Sequence, residues 1–279
     1  MFREQMNDVS KRMGDLRTMP NSDGAWVRTS AGHAQYSSMN TSYQTLQVGA
    51  DHRIGDFYIG GTASYTDGDT SLKRGSADEK NYTFGVYGGW IGQDGQYVDV
   101  ILKHHHLESD YDLRNARGEK VKGSFDNNGY SASIEYGRRF GIANTSFYVE
   151  PQAEFMLGRL DSAIYKTNNG IKVKQDRTNS TIGRLGVAAG WADPDKKGSF
   201  FAKVSVLNDW DAESTVRYAK DGRSRKYTED MGGAWVEYAM GGTYNLSKNW
   251  SAYGEALTTT GSPPRSTYQV SAGIRFTFE

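Results

Sequence analysis

The sequence predicts an all-β chain, an antiparallel up-and-down β-barrel of about twelve strands crossing an outer membrane, with one α-helix ahead of the first strand. Three observations predict it. From Gly24 onward apolar and polar residues alternate with a period of two, the repeat of a strand whose two faces meet different surroundings. The connections between these segments alternate short and long. Aromatic residues gather near segment ends (Tyr82 and Trp90, Tyr130 and Tyr136, Trp191, Trp250, Phe276 and Phe278), as the interfacial girdles of a membrane barrel require.

The elements follow in order. Phe2, Met6, Val9, Met13 and Leu16 recur at spacings of four, three, four and three, which lays one apolar stripe along a helix. Gly14 weakens that helix late, and Pro20 with Asn21 and Ser22 closes it. Taken alone, such a stripe marks a surface helix lying on a sheet. Among the strands, Tyr82, Phe84, Val86, Gly88 and Trp90 share one face. Tyr130, Ala132, Ile134 and Tyr136 oppose Ser131, Ser133, Glu135 and Arg139. Phe147, Val149, Pro151, Ala153 and Phe155 oppose Tyr148, Glu150, Gln152 and Glu154. Ala202, Val204 and Val206 oppose Lys203 and Ser205, and the last segment puts Tyr268, Val270, Ala272, Ile274, Phe276 and Phe278 on one face. The second face is charged, as expected for a wet lumen.

Short polar connections fall at residues 53–56, 92–95, 141–144, 192–197 and 246–249; long, charged, Gly-rich ones fall around residues 37–41, 66–79, 108–121, 160–178, 209–232 and 258–266. These eleven connections join about twelve strands, and an even number returns both sheet ends to one rim. A soluble sandwich would alternate too, but its loops would not sort by length onto two rims.

Composition narrows the classes further. At 279 residues the chain is one large β domain or two ordinary ones. Its hydrophobic fraction is 37%, its mean hydropathy −0.70, and no apolar run approaches the roughly 20 residues of a membrane helix. A barrel escapes that test because only alternate residues face lipid. Lys plus Arg equals Asp plus Glu at 33 each, so no global field favours nucleic acid. The absence of Cys removes disulfide scaffolds, thiol catalysis and Cys-based zinc sites. Residues 1–17 are charged and lack the apolar core of a signal peptide. An outer-membrane protein must cross the inner membrane, so the numbering is expected to start inside a longer precursor.

Several stretches carry a family resemblance over essentially the whole chain. They are Lys11-Arg12-Met13-Gly14-Asp15-Leu16-Arg17 followed by Gly24-Ala25-Trp26-Val27-Arg28, then Gln47-Val48-Gly49-Ala50-Asp51, Tyr97-Val98-Asp99-Val100 and Val149-Glu150-Pro151-Gln152-Ala153-Glu154. In this order, with a terminal aromatic strand, they resemble the translocator (β) domain of monomeric type V autotransporters. The resemblance implies a twelve-stranded barrel, residues 20–279, with its pore threaded by a helical linker, residues 1–19. It implies short turns in the periplasm and long loops at the cell surface, residues 209–232 folding over the pore mouth. The partners it implies are the chain's own N-terminal passenger, outer-membrane lipids, the barrel-assembly machinery that reads the last strand, and periplasmic chaperones. It implies a monomer, with no cofactor and no nucleic acid. The family usually stops at the aromatic, whereas here Glu279 follows Phe278.

The resemblance extends to the self-cleaving group that includes serine protease autotransporters and AIDA-like proteins. In that group an Asn side-chain amide attacks its own backbone carbonyl, forming a succinimide and freeing the next residue's amine. Aligned on the Lys11–Arg17 run, the nucleophile falls on Asn7 and the leaving residue on Asp8, where the relatives carry a second Asn. The promoting acids fall on Asp99, Glu135 and Glu154. Strand parity independently puts all three on polar faces. Acids converging in a narrow pore would share protons, so that a protonated and an ionised member coexist near neutral pH. Such chemistry is at most a single-turnover autoproteolysis. The plainer expectation is that lumen carboxylates pair with Arg28, Lys103, Arg139, Arg184 or Arg275 and rigidify the pore.

Other motifs are bland. His104-His105-His106 sits in a strand that sends 104 and 106 to one face and 105 to the other, so no metal site is expected. The alternatives are an open porin- or adhesin-type barrel and an outer-membrane enzyme with catalytic groups at the loop rim. The amphipathic N-terminal segment opposes the first, and the mid-strand position of the acids opposes the second.

Overall fold

The structure is a computed structural model that describes residue 6 and residues 23–36, 39–115, 117–261 and 265–278. The helix expected over residues 2–17 therefore lies, Met6 apart, outside the described residues, as do Asn7 and Asp8.

The strands in chain order are β1 (Gly24–Tyr36), β2 (Met39–Ile54), β3 (Phe57–Leu72), β4 (Gly75–Ile91), β5 (Gln96–Arg114), β6 (Lys120–Arg138), the two-residue β7 (Phe140–Gly141), β8 (Phe147–Leu160), β9 (Ala163–Lys166), β10 (Lys172–Gln175), β11 (Thr178–Ala192), β12 (Gly198–Asp209), β13 (Glu213–Lys220), β14 (Arg223–Asp230), β15 (Gly233–Asn245), β16 (Trp250–Gly261) and β17 (Arg265–Thr277). Twelve of them close a ring of antiparallel neighbours, β1-β2-β3-β4-β5-β6-β8-β11-β12-β15-β16-β17, which returns to β1. The seam is complete: β1 pairs with β17 from Gly24↔Thr277 to Tyr36↔Arg265. Closure leaves the ring no open edge, and so no row of unpaired backbone groups.

Burial is inverted relative to a globular protein. On β8 the outward residues Phe147, Val149, Phe155 and Leu157 are exposed, while Tyr148, Glu150, Glu154 and Met156 are buried. The expected faces of β4, β6, β12 and β17 point outward in the same way. Outward aromatics meet across strands near the short-turn rim, as in Trp191–Phe200 at 5.9 Å and Trp250–Phe276 at 4.9 Å. Tyr65–Tyr82 at 5.2 Å does the same towards the other rim.

The long connections contain more strand than their composition suggests. β3 and β4 run through residues 66–79 and leave only Lys73 and Arg74 as a turn, and β5 and β6 do much the same through residues 108–121. Residues 160–178 and 209–232 hold the hairpins β9–β10 and β13–β14, which join in a four-stranded sheet, β14-β13-β10-β9. Outside lipid neither face of a strand has to be apolar. The period-two pattern fades there while the ladder continues.

Large inward aromatics lie flat against the wall, each over a glycine of a neighbouring strand. A Cβ placed on Gly49 would come within 2.4 Å of the Trp26 ring, on Gly60 within 2.4 Å of Tyr87, on Gly137 within 2.2 Å of Tyr97 and on Gly190 within 2.5 Å of Tyr148. Glycine at these positions is a packing requirement of a narrow barrel. Outward Gly61 is different, with its nearest atom 3.9 Å away. Gly49→Val should therefore destabilise the folded barrel by about 1–3 kcal/mol through overpacking, and Gly61→Ala should leave it unchanged. Heat-modifiable gel mobility and denaturant unfolding of the two variants check this.

Candidate functional site

The three expected acids form one lateral row inside the lumen. Register pairs Asp99 on β5 with Glu135 on β6, Glu135 with Glu154 on β8, and Glu154 with Arg184 on β11. Their relative exposures are 1%, 3% and 5% for the acids and 3% for Arg184. Because paired residues share a face of the sheet, the row points wholly inward.

Arg184 joins the row into a network. Its Nη2 lies 2.8 Å from Glu135 Oε2 and 2.7 Å from Glu154 Oε2. Tyr97 Oη donates to Glu135 Oε1 at 2.8 Å and reaches Glu150 Oε1 at 3.1 Å, while Tyr58 Oη donates to Asp99 Oδ1. Other lumen charges pair as well: Arg139 Nε with Glu150 Oε2 at 2.8 Å, Arg275 Nη1 with Asp51 Oδ2 at 2.9 Å, and Lys203 with Glu237 at 3.9 Å. The expectation that Arg139, Arg184 and Arg275 pair with lumen carboxylates describes this wall well. Tyr58 and Tyr97 are donors that sequence reasoning missed. Parity held a clue, since Tyr97 lies two residues from Asp99 on the same face.

One described residue of the N-terminal segment reaches this wall. Met6 is 2% exposed and packs with Met156, Ile182, Leu207 and Trp235. Met156 stands two residues beyond Glu154 on the inward face of β8, and Ile182 two residues before Arg184 on that of β11. That spacing is about 6.6 Å along a strand. Met6 therefore sits one pleat from the acid row, on its long-connection side. Asn7 and Asp8 lie outside the described residues, so the acids and the expected nucleophile are not seen together.

Asp23 stands at the opposite, short-turn rim, where β1 begins. Its Oδ1 accepts the Arg53 N–H at 3.0 Å, its Oδ2 meets His52 Nδ1 at 2.6 Å, and its carbonyl accepts the Phe278 N–H at 2.8 Å. It thus ties β1 to β2 and to the chain end after β17. The Arg53 N–H, helped by His52, holds the Asp23 carboxyl below its ordinary value. Elsewhere His105 is fully buried facing inward, between Thr83 Oγ1 at 3.1 Å and Ser131 Oγ at 3.0 Å. His104 and His106 take the other face.

The family model described as "Autotransporter beta-domain" matches residues 22–256. The pertactin autotransporter of Bordetella bronchiseptica is 30% identical over 287 residues, an alignment covering 98% of this chain and 31% of that protein. The chain therefore spans about a third of that relative's length. Among solved structures, the β domain of the Bordetella autotransporter BrkA is similar at a TM-score of 0.75 with 25% identity, covering 92% of this chain and all of that one. The translocator domain of the autotransporter NalP from Neisseria meningitidis matches at a TM-score of 0.77 with 14% identity, over 97% of this chain and 95% of that one. That second likeness speaks to the fold alone.

Two outcomes follow from the site. Arg184→Leu leaves two buried carboxylates without their shared cation and should lower unfolding free energy by about 3–5 kcal/mol, read by guanidinium unfolding in detergent. At the rim, a depressed carboxyl stabilises the folded state fully above its unfolded pKa of about 4 and loses that contribution as pH falls through the lower folded value. Amide exchange at Arg53 should accordingly speed up relative to other β2 amides only below pH 3.8, the ordinary value for this carboxyl. Asp23→Asn should abolish that pH dependence.

Proposed function

The chain belongs to the autotransporter β-domain family, and from that premise we propose that it is the outer-membrane translocator and anchor for a passenger linked to its N-terminus. The short turns face the periplasm and the long hairpins face the cell surface. Residues 1–19 form a linker that runs through the lumen, and residues 20–279 form the barrel. The barrel acts as a monomer, with outer-membrane lipids around it and with the barrel-assembly machinery and periplasmic chaperones as folding partners.

Met6 carries the proposal. It is buried against inward residues one pleat to the long-connection side of the mid-strand acid row, and Asp23 opens β1 at the short-turn rim. The 17 residue-to-residue steps from Met6 to Asp23 would span about 25 Å as a helix, near the height of the apolar band. An open porin lumen does not accommodate this contact. Deleting residues 1–17 should raise single-channel conductance in planar bilayers severalfold, and unchanged conductance would refute a lumenal linker.

The same contact supports self-cleavage. The residue after Met6 is Asn7, and Met156 and Ile182, which Met6 packs against, stand two residues from Glu154 and Arg184 on the same inward faces. In the proposed step the Asn7 side-chain nitrogen attacks the Asn7 carbonyl carbon, the bond to Asp8 breaks, and Asp8 leaves with a free amine. One acid of the row takes the amide proton and another supplies the proton to the leaving nitrogen, while Arg184 holds Glu135 and Glu154 in place. Each chain reacts once. Purified full chain folded in detergent should split into two masses at Asn7–Asp8. Asn7→Ala should abolish the split, and Glu154→Gln should slow it by at least about a hundredfold. A persistent intact mass in the unaltered chain would sink the cleavage reading while leaving the translocator reading to the conductance test.

A further inference from the structure

A cleft of about 530 Å³ opens on the outside of the wall where β5, β6, β8 and β11 adjoin. Its lipid-facing lining includes Leu102, Ala132 and Leu157, with Tyr130, Arg159 and Asn179 towards the long-connection rim. Leu102, Leu157 and Tyr130 are about half exposed. Arg159 is the outward residue that follows Leu157 on β8, so the apolar band ends there on a guanidinium. Its Nε meets Asp161 at 3.1 Å, one of five donors the group carries.

Beyond the cleft the wall continues as the four-stranded sheet. The Asp161 N–H bonds to Asn128 O, and the Asn168 N–H to Lys122 O. The pairing with β6 therefore continues past β8 with a shift of one residue, since Asn128 faces Asp161 in the β8 register whereas Lys122 faces Asn168. The inward face passes from the even residues of β8 to the odd residues of β9. Tyr165 stacks on Phe125 with ring centroids 4.8 Å apart. Phe125 is on the inward face of β6, which fixes Tyr165 and its partner Val173 as inward too. The opposite face of the sheet looks outward, and it is basic. Lys174, Arg217 and Lys226 are direct neighbours across β10, β13 and β14, and Lys172 pairs with Lys166 in the adjoining row. All five are exposed. Asp176 meets Arg217 at 3.0 Å and Lys174 at 3.7 Å, and Glu213 and Asp230 lie at the barrel end of the β13–β14 hairpin. A positive surplus remains on this face of a chain whose net charge is zero.

We propose that the cleft and the basic face together dock a phosphorylated glycolipid of the outer leaflet, its acyl chains against Leu102, Ala132 and Leu157 and its phosphates on Arg159 and the Lys174–Arg217–Lys226 row. A membrane-anchored amphiphile can occupy a lipid-facing apolar cleft and an outward polyanion surface at once. Size favours a glycolipid over a phospholipid. The basic row stands roughly 15 Å beyond Arg159, about five residues of strand, which a single-phosphate headgroup seated at Arg159 does not reach. Tyr130 supplies the interfacial ring expected at the mouth of such a site.

The assignment to the outer leaflet rests on the proposed orientation of the rims; the lipid contacts themselves do not. The full chain is folded into phosphatidylcholine nanodiscs doped with either diphosphorylated lipid A or phosphatidylglycerol, released into detergent and examined by native mass spectrometry. One lipid A should be retained per barrel, at least about tenfold above phosphatidylglycerol. The triple variant Lys174→Gln, Arg217→Gln, Lys226→Gln should lose that retention while keeping heat-modifiable mobility, and Arg159→Gln alone should weaken it. Equal retention by wild type and triple variant, equal retention of the two lipids, or displacement of lipid A by millimolar inorganic phosphate would overturn the site. Protease cleavage at Arg223–Arg225 on intact cells reports orientation separately, and protection there would overturn the outer-leaflet assignment alone.

Discussion

Everything in this molecule depends on one constraint: inside a bilayer each backbone N–H and C=O must find its partner within the protein. The ring from β1 round to β17 and back to β1 meets that constraint by leaving the barrel no edge. Once the ladder is closed, side-chain alternation decides the rest. Residues such as Phe84, Val86, Leu157 and Val270 face lipid, and their strand neighbours face a lumen where charges must be satisfied by one another.

The lumen has two means of coping with its narrowness. Aromatics such as Trp26, Tyr87 and Tyr97 lie flat over glycines and line the wall without filling the bore. Charges are placed in neighbouring registers so that one cation can serve two anions, as Arg184 does for Glu135 and Glu154. An ion pair so buried is weak as a source of stability and costly to break. It is better regarded as a fixed electrostatic surface with Met6 seated one pleat away. Structure and proposed chemistry meet there, because the groups that rigidify the wall are the groups a cyclising Asn would need beside it.

Much of this was legible in the sequence. Period-two alternation named the faces of β4, β6, β8 and β17, and parity alone aimed Asp99, Glu135 and Glu154 inward. Cross-strand register was hidden, since no sequence distance relates Glu135 to Glu154 or Trp26 to Gly49. Thus Arg184 was one of several candidate partners, and the tyrosine donors Tyr58 and Tyr97 went unnoticed. Residues 66–79 read as loop because Asp67, Asp69 and Asp78 break the apolar alternation, yet they lie in β3 and β4. Hydrophobic pattern reports what surrounds a strand, and beyond the membrane water surrounds both faces.

The central claim is that the N-terminal segment is seated in the lumen beside the acid row. The chain has no Cys, so two introduced thiols report on each other alone. Met6→Cys combined with Ile182→Cys should form an intramolecular disulfide rapidly in the folded barrel under mild oxidation. Met6→Cys with the outward Leu102→Cys should remain reduced. Absence of the first crosslink, or equal crosslinking in both pairs, would contradict a lumenal Met6 and the function built on it.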